Sequence, residues 1–203
     1  MIKDIAEKLL GRSLIENDGI NIEKIEETEI ILGINLPKYL KDFYKDIGNT
    51  RLFTKSFERF IDIDKLFIMD NKLVFLEENQ QVCIWGIDIS KNDLIVYQNA
   101  DEGWYSEEVT INEFIDFMLY YQCAQGYENV MNIDTNKINN ENLLTLLKEM
   151  EKVVDNNHLI IYCNDNVLLW YYTDADNKIL NNSIIISGLT ENKTNEYYKK
   201  LLE

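Results

Sequence analysis

Histidine is nearly missing from this 203-residue chain, and His158 is the only one. A metal centre built on several histidines is therefore excluded. A Ser/His/Asp or Cys/His catalytic arrangement would have to run through this one residue. His158 follows Asn156-Asn157 and precedes an apolar run, so it reads as a loop or strand-edge histidine. Cysteine is scarce too. Cys83, Cys123 and Cys163 are odd in number and far apart, with no C-x-x-C pair. That argues against a disulfide framework and a zinc site, and for small core residues in a reducing compartment. The glycines stand singly, in neither G-x-x-x-x-G-K-[ST] nor G-x-G-x-x-G. No H-E-x-x-H is present. Asp174-Ala175-Asp176-Asn177 starts like a calcium loop but lacks its glycine and distal glutamate, and reads as a hairpin turn. No cofactor is expected.

Positive charge is also in short supply. Lysine and arginine total 20 against 36 aspartates and glutamates, for a formal net charge of -16. Such a field repels nucleic acid and anionic membrane and draws in a basic partner. It also keeps a protein soluble. There is no basic stripe with interleaved aromatics, so nucleic acid is not an expected partner. No apolar run approaches the ~20 residues that span a bilayer. The first residues, Met-Ile-Lys-Asp-Ile-Ala-Glu-Lys, are charged where a signal peptide needs an apolar stretch. A cytosolic protein is expected. Carboxylates are so abundant that no single pair of them points to acid–base catalysis.

What is present is an ordinary apolar share, 46%, enough for a substantial core. Ile22, Ile25 and Leu32 keep helical spacing up to Gly33, where a glycine suits the left-handed turn after a helix. Leu36-Pro37 opens a second helix with the stripe Leu40, Phe43, Tyr44 and Ile47, closed by Gly48. A weaker helix around Ile5, Leu9 and Leu10 precedes both. Residues 73–76 and 82–85 flank a polar segment and read as a hairpin; 94–97 is a third strand, and Trp104-Tyr105 belongs to a short fourth. Residues 57–69 are apolar but ambiguous. Thr110-Ile111-Asn112-Glu113 is a capping box opening a helix that stops at Gly126. Further on, the pattern predicts a helix over 142–154, then strands at 159–162, 167–172 and 184–186. Asn164-Asp165-Asn166 forms a tight turn, and a final helix follows Thr190. Helices, then strands, then a helix, then strands with helices lack the alternation of a parallel sheet. The expected class is α+β with a largely antiparallel sheet flanked by helices.

One stretch has the composition of an interaction patch. Asp101, Glu102, Trp104, Tyr105, Glu107 and Glu108 alternate carboxylates with large aromatics, so rings can anchor while acids meet basic groups. The plainer reading is a twisted strand with Trp104 in the core and acids in solvent. A second acidic group, Glu23, Glu26, Glu27 and Glu29, reads as a solvated helix face.

The order of these pieces resembles the SUKH superfamily. The stretch from Glu29 through Gly33, Leu36-Pro37 and Phe43-Tyr44 to Gly48 is similar to its opening helix, "LG-x-x-LP" corner and "FY" helix. Phe75 to Gly86, with Glu77-Glu78-Asn79-Gln80 and Trp85, is similar to its central hairpin. Trp104 through Thr110-Ile111-Asn112-Glu113-Phe114 to Ala124 is similar to its closing strand and helix. Together these span about residues 20–126 of what is expected to be one SUKH-like domain over 1–203. Residues 127–203 resemble the extension of some immunity-type members and are expected to form strands and helices packed on the core. The resemblance implies a non-enzymatic protein that binds and blocks a cognate toxin domain, often a nuclease, encoded beside it in bacteria. It also implies an alternative: fungal members regulate cell-wall synthesis through protein contacts. Its motifs are structural, and no catalytic or metal residues carry over. A DNA mimic and a two-carboxylate enzyme rank behind both.

Overall fold

The computed structural model describes residues 2–100, 102–156 and 158–202. The first part of the chain contains α1 (Ile2–Leu10), α2 (Ile22–Leu32), α3 (Lys38–Ile47) and α4 (Arg51–Thr54). Strands β1 (Arg59–Phe60), β2 (Phe67–Met69), β3 (Lys72–Glu77), β4 (Ile84–Asp88), β5 (Ile95–Asn99) and β6 (Trp104–Thr110) follow, then α5 (Ile111–Gly126). The second part contains β7 (Asn129–Asp134), α6 (Asn140–Glu149), β8 (Glu151–Asp155), β9 (Leu159–Asn164), β10 (Val167–Tyr172), β11 (Ser183–Gly188) and α7 (Glu191–Leu202). Among the described residues every pairing between these strands is antiparallel. The class is α+β. No described helix is long and apolar enough to cross a membrane.

The chain divides into two compact units. One comprises Leu14–Gln122 with the start of α1, the other Glu7–Ser13 with everything from Cys123 onward. In the first, the sheet order is β1-β3-β4-β5-β6, with β2 also on β3. Helix α2 starts on Asn21, whose side chain accepts from the Glu23 amide, and ends on Gly33 at φ 68. Glu29 then holds the corner. Its carboxylate accepts from the Leu36 amide at 2.8 Å and from Lys41 Nζ on α3 at 2.7 Å. The α3 stripe Leu40, Phe43, Tyr44 and Ile47 is buried. From it a line of rings runs into the sheet. Phe43 meets Phe60 at 4.2 Å, Phe60 meets Phe75 at 6.3 Å, and Phe75 meets Phe114 of α5 at 5.9 Å. The ambiguous segment 57–69 contributes β1 and β2 to this sheet.

Gln122, fully buried on α5, ties down the segment entering β1. Its Oε1 accepts from the Phe57 amide at 2.8 Å and the Glu58 amide at 3.1 Å, and its Nε2 donates to the Glu58 carbonyl at 2.6 Å.

The second unit has its own sheet, β7-β11-β10-β9-β8. One face packs Ile133, Val167, Leu169, Ile184 and Ile186 against Leu146 of α6 and Tyr197 and Leu201 of α7. On β10, Trp170 Nε1 donates to Ser187 Oγ at 2.9 Å, and that hydroxyl donates to the Ala124 carbonyl at 2.8 Å. The predicted helix over 142–154 stops early, at Glu149. Lys152, Val153 and Val154 instead lie in β8, antiparallel to β9. The reason is tertiary: β-branched valines fit a pleated sheet, and β9 offers a partner edge. Strand β7 is a further element outside the predicted set.

Replacing Gln122 by leucine keeps the volume but strands two amides and a carbonyl. Each such buried group costs about 1–3 kcal/mol. Gln122→Leu should lower the unfolding free energy by about 3 kcal/mol, read as a reduced urea midpoint at unchanged slope.

Candidate functional site

Strand β6 is the outer strand of its sheet and carries the acidic–aromatic stretch. Trp104, Tyr105 and Ser106 pair in simple register with Asn99, Gln98 and Tyr97. The register then shifts before Thr110 meets Ile95, and Glu108 sits at φ 59. This is a bulge, which bends an edge strand and re-aims its side chains.

The two-residue alternation splits the predicted site across two faces. Tyr105 is 56% exposed, and Glu102 and Glu108 are exposed. Glu107 is half-buried and accepts from Trp85 Nε1 at 2.8 Å. Trp85 in turn lies 6.3 Å from the Phe114 ring. Trp104 donates through Nε1 to Asp70 Oδ2 at 3.3 Å. Asp101 lies outside the described residues. The structure therefore leaves Glu102, Tyr105 and Glu108 presented to solvent, while Trp104 and Glu107 are engaged by the sheet.

The plainer reading of Trp104, a side chain in the core, does not hold as stated. It is half-buried, not in the core, and covers the sheet where β4 has Gly86. A Cβ on Gly86 would lie 3.3 Å from the indole and 3.0 Å from the Leu73 carbonyl oxygen. Register puts Lys72, Gly86, Asp88, Tyr97 and Trp104 on this one face. Lys72 Nζ lies 4.7 Å from the Tyr97 ring centre, 5.8 Å from that of Trp104 and 3.2 Å from Asp88 Oδ2. The cation is thus shared between two π faces and one carboxylate. The turn Asp70-Asn71, at φ 50 and 61, aims Asp70 at the indole. An Asp-Asn dipeptide between apolar runs is a turn signal that the sequence reading passed over.

Asp88 is the most strongly perturbed acid of this cluster. Hydrogen bonds from the Ser90 hydroxyl at 2.5 Å and amide at 3.0 Å, with Lys72 beside it, outweigh burial and hold its carboxyl down at about 2. Two other carboxyls are raised by burial: Glu58, which accepts from the Asn79 amide, and Asp116, which accepts from the Tyr39 hydroxyl at 2.5 Å. A groove of about 620 Å³ is in the second unit and includes Asn132, Asp134, Lys137, Tyr172, Asn182 and Ile185 in its wall. Asp174 organises a hairpin turn, its Oδ1 accepting from the amides of Asp176 and Lys178. His158 is exposed just before β9. Among the described residues no group of three or more His, Cys, Asp or Glu side chains is placed to hold a metal ion.

Comparison of the chain with family models, curated proteins and solved structures gives no match.

The Asp88 geometry has a measurable consequence. The unfolded chain, with this carboxyl near its ordinary 3.8, binds the proton more readily than the folded chain at about 2. The stabilisation is therefore present above the unfolded value and lost as pH falls through the folded one. Asp88→Asn should be less stable than the parent near neutrality, and the gap should narrow steadily on acidification, followed by urea midpoints across that range.

Proposed function

We propose that this chain is a cytosolic, SUKH-like immunity protein that binds a basic toxin domain and occludes its active site. The observation that carries this reading is the outer strand β6. It presents Glu102, Tyr105 and Glu108 to solvent on a chain of net charge -16. Nuclease sites are basic because they hold phosphates. An acidic surface accelerates encounter with such a site, and an exposed aromatic slows release once desolvated. Trp104 and Glu107 set the position of that strand through Asp70 and Trp85. The chain's own chemistry in this reading is recognition, not catalysis.

The test is co-expression with the toxin domain encoded beside this gene, followed by co-purification. Growth rescue with a stable complex is the expected result. Glu102→Lys with Glu108→Lys should then weaken binding by about tenfold, chiefly through slower association with a shallower salt dependence. Unchanged affinity in that double variant would move the contact away from β6. Full toxicity without a complex would replace toxin neutralisation with the scaffold role of the fungal members.

A further inference from the structure

Helix α2 carries isoleucine where an amphipathic surface helix should be polar. Its inward side is Ile25 and Thr28, both buried, with Leu32 beside them. At 3.6 residues per turn, the opposite side is Glu23, Glu26, Glu27 and Ile30, with Ile22 and Ile31 at its two margins. Ile30 is 80% exposed, Ile31 82% and Ile22 38%. Single exposed apolar residues are unremarkable, but the neighbouring pair Ile30 and Ile31, both almost wholly in water at the end of the helix, is not. The fourth glutamate of this segment, Glu29, is not part of the face, because Leu36 and Lys41 occupy its carboxylate. The face thus sets Ile30 and Ile31 among three exposed carboxylates, with Ile22 at its far margin.

We infer that this face of α2 docks a basic protein segment with apolar side chains between its cations. The occupant follows from charge complementarity. A second copy would set glutamates against glutamates, and an anionic bilayer would be repelled in the same way. A purely basic polymer would leave the isoleucines in water. A segment alternating lysine or arginine with leucine-like residues satisfies both, as in helix-in-groove recognition read in single-turn steps. This surface is separate from β6. It rests on the binding-protein reading only for the identity of the natural partner, and the face itself stands on the exposure of α2.

The experiment uses the full ¹⁵N-labelled chain and two synthetic peptides. One is an amphipathic lysine–leucine helix; the other has the same lysines with serine in place of leucine. The lysine–leucine peptide should shift amides of Ile22–Gly33 and bind at least ~10-fold more tightly than the serine control. Ile30→Ser with Ile31→Ser should remove that advantage, and Ile30→Leu should retain it. Both substitutions are at solvent-exposed positions, so thermal unfolding should be unchanged. Shifts centred on Glu102–Glu108, equal binding of the two peptides, or binding indifferent to the serine variant would each overturn the proposal. Failure of toxin rescue with peptide still mapping to α2 would strike the immunity reading alone. Rescue by a chain whose α2 ignores the peptide would strike this inference alone.

Discussion

A single buried amide sets the register on which the first unit's core depends. Residues 57 and 58 precede the two-residue β1 and have no ladder partner there. Gln122 supplies one: its Oε1 takes two backbone N–H groups and its Nε2 gives to a carbonyl, much as a neighbouring strand would. That fixes where Phe60 enters, between Phe43 and Phe75. Apolar burial supplies most of the driving force but has no direction of its own. The amide supplies the direction, because a one-residue slip would turn Phe60 outward and leave the buried backbone unpaired. Glu58 extends the same logic by accepting from the Asn79 amide in the β3–β4 turn.

The face of that sheet around Gly86 is closed by a different device. Lys72 is neutralised by Asp88 and covered by Tyr97 and Trp104, so a cation is kept on a nearly buried spot without an unpaired charge. This locks Trp104 down and, through alternation, turns Tyr105 the other way. The bulge at Glu108 then bends the outer strand. Bulges and carboxylates on an edge strand discourage pairing with other chains. The same features hold acidic groups out in water, so edge protection and the proposed partner steering would ask for the same residues.

Local signals in the sequence were legible where chemistry is local. Gly33 after α2, Pro37 before α3 and the Thr110–Glu113 capping box each lie within a few residues of their effect. The box is present as a 2.9 Å bond from the Thr110 amide to Glu113. The stretch from Glu102 to Glu108 was legible as acidic and aromatic, but its division into engaged and exposed side chains was not. That division rests on Trp85–Glu107 and Trp104–Asp70, pairs 22 and 34 residues apart. The end of α6 failed for a related reason. Leu143, Leu146, Leu147, Met150 and Val154 keep a helical rhythm, and only the edge of β9 decides that Val154 is in a strand. The isoleucines of α2 illustrate the limit from the other side. The spacing of Ile22, Ile25 and Leu32 announced a helix, but only the fold shows that Ile30 and Ile31 face away from its packed side.

Charge and apolar exposure do different jobs on such a molecule. A surplus of carboxylates attracts a basic partner from any direction, and at physiological salt the attraction fades within about 8 Å. It therefore raises encounter rates without giving an address. An address needs surface that is costly to leave wet. The acids of this chain surround two kinds of such surface: the ring of Tyr105 on β6 and the outward isoleucines of α2. A partner steered by the common field is retained only where its own apolar groups meet one of these. In the proposed role, specificity would come from the few side chains that the fold declines to bury, and the many acids around them would discriminate against partners that are not basic.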